Sequence, residues 1–291
     1  MPILEVEAPN AAVDLQFKME GPAFDRGMPL PLMVDSLGHV QGVLDKSYLG
    51  LIGKRRLSRE ERLRFYLQAQ RIEHSSLLAD LGVVFTGAQT VLPLFGVLGP
   101  SGIWEYAKSA FEFLKFVFEA VRKGERVTYT WNADRSVVHV NTGTQTQVFN
   151  GPVFNIGELS LVHYQGLTQV LDASNVTDIR LGEKAHPEIK LALPDRGLFE
   201  LPTKIEEQPH KIACEILEFD KIERDGRMKV LPSQSIPEAD YRFDVIGKQD
   251  AASYIEGMLK QQVRVTCLRE VAENPVSGEK IYRLQLIDIE A

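Results

Sequence analysis

Histidine and cysteine are the side chains most often recruited for proton transfer, nucleophilic attack and metal ligation. This chain of 291 residues holds six of the first and two of the second. His39, His74, His139, His163, His186 and His210 are scattered, with no two at the short spacing of a ligand pair. A structural zinc site wants about four clustered Cys or His ligands, so no metal is expected. The patterns GxxxxGK[ST], GxGxxG after a strand, HExxH, GxSxG and the EF-hand loop are also missing. Each of these positions a phosphate, a nucleophile or a metal for a stated physical reason. No catalytic residue and no cofactor is therefore assigned.

Three smaller constellations remain. Asp35 and His39 stand four residues apart on a predicted helix, which puts them on one face. They form either a base with its orienting carboxylate or a surface ion pair. In Glu73-His74-Ser75-Ser76 a nucleophile type adjoins a base type, but neighbours along a strand point to opposite faces. A polar hairpin turn accounts for that segment better. The third constellation is electrostatic. Between Lys54 and Arg71 there are seven Lys and Arg against Glu60 and Glu61, a local net of +5 on a chain of net charge −7. With Arg62, Arg64 and Arg71 projecting from a strand and Lys54, Arg55 and Arg56 in the loop before it, this segment would meet phosphates or an acidic partner. The competing reading is a solvated face with internal ion pairs. The candidate binding residues are Lys54, Arg55, Arg56, Arg62, Arg64, Arg71 and His74.

The elements that must position these groups can be read from periodicity. Residues 13–19 alternate as a half-buried strand, and Leu30, Met33, Leu37, Val40 and Leu44 mark one face of a helix. Leu63, Phe65, Leu67 and Ala69, then Leu77, Ala79, Leu81, Val83 and Phe85, alternate as two strands joined by the polar turn at 74–76. Glutamates beside Arg59 can start a helix there instead. Residues 102–123 form the strongest helix, with Trp104, Ala107, Phe111, Leu114, Phe118 and Val121 on one line. Charges of alternating sign run along the neighbouring line, each pair worth about 0.2–0.5 kcal/mol. A hairpin flanks Asn132–Arg135, TQTQVFN extends it, and residues 157–174 read as a helix with Leu159, Val162, Leu167, Val170 and Leu171 inward.

Pro187, Pro194, Pro202 and Pro209 then disfavour a long helix or a central strand. After them come three strands (211–223, 227–231, 241–247), a helix (249–260) and two strands (261–271, 279–289). In element order this region resembles the OB-fold. A different small barrel, or an open sheet with one helix, fits the same string. The resemblance implies pairing of its first and fourth strands, hence Cys214 and Cys267 in neighbouring strands as reduced, buried thiols. The expected fold class is α+β: an N-terminal mixed sheet-and-helix domain at 1–185, a proline-rich connector at 186–210, and a five-stranded β-barrel with one helix at 211–291.

An apolar content of 44% with 25% charged residues is ordinary for a globular chain. Two cysteines outside any CxxC pair suit a reducing compartment. MPILEVEAPN places acids where a signal peptide needs basic residues, so a cytoplasmic location is expected. From Leu81 to Tyr106 only Glu105 is charged, a length that would cross a bilayer. The glycines and prolines within it interrupt backbone pairing, which lipid does not tolerate, and no membrane insertion is expected. Residues 211–291 carry six Lys and six Arg against fifteen acids, a net of −3, which speaks for a protein partner there rather than a strand-binding groove.

The resulting expectation is a non-enzymatic binding or scaffolding subunit of an intracellular assembly. It would contact an anionic partner, nucleic acid or acidic protein, through the basic segment, with the barrel and helix 102–123 supporting protein association or an oligomer. The alternative is a pocket-containing protein or enzyme acting on a small polar ligand or nucleotide. That pocket would be lined by residues 141–145 and 74–76, with His74, Asp80 and Arg71 converging.

Overall fold

A computed structural model describes residues 14–25, 27, 29–73, 77–85, 90–92, 96–183 and 186–290. The chain divides into two compact units, 1–200 and 201–291.

In the first unit, β1 (Asp14–Glu20) buries Leu15, Phe17 and Met19 and keeps the intervening polar residues half exposed. That alternation is the signature of a sheet with one packed face. Helix α1 (Leu30–Ile52) follows and is closed by Gly53, whose φ of 67° is the left-handed conformation of a helix C-cap. A second helix, α2 (Arg59–Arg64), starts from a capping box in which the Ser58 side chain and the Glu61 carboxylate satisfy each other's backbone N–H. It runs directly into β2 (Phe65–Glu73), which pairs with β3 (Leu77–Phe85). The ribbon β4 (Thr90–Leu92) and β5 (Gly96–Leu98) precedes helix α3 (Pro100–Arg122). Three antiparallel strands, β6 (Thr128–Trp131), β7 (Val137–Asn141) and β8 (Thr146–Asn150), lead into helix α4 (Gly151–Gln169). Strands β9 (Asp178–Glu183) and β10 (His186–Ala192) complete the main sheet.

That sheet has the order β10-β9-β1-β3-β2, antiparallel throughout. Its wet face is held by polar pairs, among them Gln16 to Asp80 at 3.0 Å and Arg180 to Asp178 at 2.7 Å. Helices α1, α3 and α4 pack on one another around Trp104, Phe113 and Tyr164, all buried. The Tyr164 hydroxyl donates to the Ala107 carbonyl at 2.8 Å, which removes the cost of burying that polar tip.

The packing of α1 on α4 is set by glycine. The helices run antiparallel, with Gly42 against the His163 ring, Gly166 against the His39 ring, and Gly50 against Ile156. A Cβ on Gly42 would overlap the His163 imidazole, and one on Gly166 would overlap that of His39. Each helix thus supplies one ring and one notch to its neighbour.

Several sequence expectations are revised. Residues 59–64 are helical, so Arg62 and Arg64 project from α2 and not from a strand, and Leu63 is 71% exposed. The capping box at Ser58 decides the matter locally. Helix α4 begins earlier than expected and turns Leu159 and Val162 outward. Its inward face is Val153, Ile156, Gly157, Ser160, Tyr164 and Leu167. Small residues take this side because bulky side chains of the neighbouring helices press on it, Phe113 against Gly157 and the His39 ring against Gly166. Residues 186–210 do not form one extended connector: His186–Ala192 is an edge strand of the first sheet. The expected turn at 74–76 lies outside the described residues. Among the described residues, no helix is long and apolar enough to cross a membrane.

The second unit opens with β11 (Thr203–Ile205), paired to the outer half of a later strand. Then come β12 (His210–Asp220), β13 (Asp225–Val230), β14 (Asp240–Val245), helix α5 (Ala251–Met258), β15 (Val263–Asn274) and β16 (Gly278–Glu290). Hydrogen bonding runs β12-β13-β14-β16-β15 and returns to β12, which closes a five-stranded barrel. Only the β14–β16 pairing is parallel, and α5 packs against β12. This is the expected barrel with its helix. Phe243, Tyr254, Met228, Leu284 and Leu286 fill it. Gly226 is required where β13 crosses the bulge of β12, since a Cβ there would strike the Glu218 carbonyl. Cys214 and Cys267 lie on the paired strands β12 and β15, free and buried.

Gly42→Ala should destabilise the protein by about 1–3 kcal/mol, although alanine is otherwise the better helix former. In the double variant Gly42→Ala/His163→Ala most of the alanine penalty should vanish, and urea unfolding of the four-member cycle measures this. The two thiols, pushed up to about 12 by burial, should resist a disulfide reagent at pH 8 in the native protein. They should react fully once it is unfolded in denaturant.

A basic depression beside a histidine pair

The basic segment is only partly free. Arg62 grips Asp45 of α1 through both guanidinium nitrogens, at 2.8 and 2.6 Å. Gln41 donates to the same carboxylate at 2.7 Å and accepts from the backbone N–H of Leu67 on the edge strand β2 at 2.6 Å. Gln41, Asp45 and Arg62 therefore brace α1, α2 and β2 together. Lys54 pairs with Glu61 at 2.6 Å and Arg64 with Glu60 at 2.5 Å. The Glu61 carboxyl is pulled down to about 2, first by the Lys54 hydrogen bond and then by those from Ser58. Three of the seven cations are thus spent on structure.

Arg71 has an interaction partner of its own, and His74 lies outside the described residues. Arg55, Arg56, Arg59 and Lys46 make no ion pair among the described residues. Three of them, Lys46, Arg55 and Arg56, line an open depression of 730 Å³. Tyr66 and Leu49 contribute apolar wall, and His163 of α4 contributes an imidazole. Asp45 also borders it, with its oxygens held by Arg62 and Gln41, and its ion-pair partner is Arg62. Lys46, Tyr66 and His163 were not anticipated. Arg55 and Arg56 were.

Behind that wall the two notched histidines meet. His39 Nδ1 and His163 Nδ1 are 3.5 Å apart, with the ring planes at 61°. Asp35 lies 3.8 Å from His39 Nε2, beyond hydrogen-bond range, so the expected Asp35–His39 pair is a loose ion pair. The His163 imidazole is pushed down to about 4, mainly by burial and next by the nearby His39 and Lys46, with Asp45 opposing. It is therefore neutral at pH 7. The tetrapeptide His39-Val40-Gln41-Gly42 recurs as His163-Tyr164-Gln165-Gly166, and that repeated H-x-Q-G is the signal that would have found the pair.

Of the other expected pocket, residues 74–76 lie outside the described residues. Asn141–Gln145 is a turn that spends its polar atoms locally: Asn141 Oδ1 accepts from Gly143 N at 2.6 Å, and Thr144 donates to Glu125 at 2.8 Å. Asp80 accepts from Gln16. On the barrel, Arg227–Glu218, Arg283–Asp244 and the two-pronged Arg269–Glu206 contact are all closed pairs. Among the described residues no three or more His, Cys, Asp or Glu side chains gather as a metal site.

Fold and site together define an α+β chain carrying an OB-like barrel in one unit and an uncompensated basic depression in the other. Compared with protein families, curated proteins and solved structures, the chain matches none.

A histidine held below its ordinary 6.5 in the folded state takes its proton more readily when unfolded. Its contribution to stability is thus complete above about pH 6.5 and is lost as pH falls through about 4. The urea midpoint should drop across that window, and His163→Gln should flatten this component of the drop.

Proposed function

We propose that this chain is a binding subunit that docks single-stranded nucleic acid by its phosphates in the basic depression. The observation that carries this reading is the set of Lys46, Arg55 and Arg56 left without carboxylate partners around one concavity whose own acid is paired with Arg62. Guanidinium forks match phosphate oxygens in two-pronged geometry. The ring of Tyr66, 36% exposed on the same wall, offers the stacking face that strand-binding sites combine with cations. The net charge of −7 restricts such binding to this patch, since the remaining surface repels a polyanion.

The test is fluorescence anisotropy of a labelled oligothymidylate with the full chain at low salt. Arg55→Glu/Arg56→Glu should weaken binding by at least about tenfold and lower the slope of log affinity against log salt by about 1.4, two phosphates' worth. Arg64→Glu, which alters a cation already paired, should change affinity far less. Binding of a polyglutamate peptide in place of the oligonucleotide would assign the depression to an acidic protein. Lack of retention of either polyanion would end the reading.

A further inference from the structure

The histidine pair adds a property that the cationic rim alone does not have. His163 fills the Gly42 notch and borders the depression, so any anion seated there lies beside its ring. His39, seated on Gly166, holds its own ring nitrogen 3.5 Å from that of His163. Two imidazolium cations at that separation repel, and the carboxylate beside the pair, Asp35, stands 3.8 Å from His39 Nε2 on the exposed side, away from His163. The titratable groups facing the pair are Asp35, Asp45 and Lys46 on α1, with Arg55 and Arg56 on the loop after it and Arg62 on α2. Asp45 is committed to Arg62. The surroundings are therefore cationic on balance, and the ring stays neutral until negative charge arrives.

We propose that the depression takes up one proton with its anion, the His39–His163 pair accepting it, so that mild acid tightens the grip. This rests on the reading of the depression as a polyanion site and deepens it. The balance is simple: the proton comes from solvent, binds a free imidazole nitrogen, and returns when the anion leaves, with no covalent bond made or broken. By reciprocity, the factor by which the anion favours the protonated ring is the factor by which protonation favours the anion. A bound phosphate in contact typically raises such a group by one to three units. Starting from about 4, a rise of about two units makes affinity about tenfold higher at pH 5 than at pH 8.

The interlocked glycines make the pair a credible sensor. Neither ring can swing out of its notch without opening the α1–α4 contact, so the two nitrogens are held together across 124 residues of chain. A surface histidine would turn away and titrate alone.

The experiment measures oligothymidylate affinity of the full chain from pH 5 to 8 at constant ionic strength, with calorimetry at pH 6 in two buffers of different ionisation enthalpy. The wild-type protein should gain about tenfold on acidification and absorb protons on binding. His163→Gln should bind with equal affinity at pH 5 and pH 8, having lost the gain, and absorb fewer protons. His39→Gln should move the transition to higher pH, since it removes a neighbour that opposes charging. Should His163→Gln lose its fold by circular dichroism, His163→Asn takes its place and the His39→Gln shift is read alone. Binding that depends on Arg55 and Arg56 but keeps the same pH slope in the histidine variants overturns the proton linkage and leaves the site standing. Binding that is absent, or indifferent to Arg55→Glu/Arg56→Glu, overturns the site and the linkage with it.

Discussion

The close approach of α1 and α4 is the constraint on which the first unit turns. Gly42, Gly50 and Gly166 leave notches along the contact, and the side chains of His163, Ile156 and His39 fill them. This contact places Asp45 and Gln41 of α1 where α2 and β2 can be tied to them. It also leaves the outer side of α1 as a wall of the depression. Helix α3 completes the layer by packing on both helices with its aromatic side.

The basic segment shows how a run of like charges is divided in a folded chain. Some cations become mechanical parts: Arg62 clamps α2 to α1, and Lys54 and Arg64 hold the acids of α2. Each such pair subtracts from the field seen by solvent. What remains is narrower than the local net of +5 and better placed, because Arg55 and Arg56 leave the helix end together and are joined by Lys46 from about two turns before it. A patch read from composition alone would have included residues with nothing left to offer a partner.

Legibility followed the length scale of the physics. Helix α3 and the five barrel strands could be read because each has its own period, and a period is a local property. The parallel β14–β16 pairing that closes the barrel has no local signature and was not read from the sequence, where only the barrel and its first–fourth strand pairing came, through resemblance of element order. The start of α2 was spelled by Ser58 and Glu61, but the alternation from Leu63 to Ala69 extends past Phe65 in both directions and hid the boundary. On α4 the inward side was misassigned because apolarity usually marks burial, whereas here Gly157 and Ser160 face in and Val162 faces out. Of the site, Arg55 and Arg56 were visible as charge. His163, Lys46 and Tyr66 were not, since they come together only through tertiary contacts.

The barrel's connectivity also bears on how the protein is made. Strand β16 pairs with both β14 and β15, so the ring stays open until the last of its strands is available. While the ribosome is still adding β16, the edges of β14 and β15 present unpaired amides and carbonyls, the kind of template that recruits foreign strands. Synthesis of this unit therefore passes through a window of aggregation risk that closes in one step, and a holdase able to mask a strand edge would serve it best during that interval.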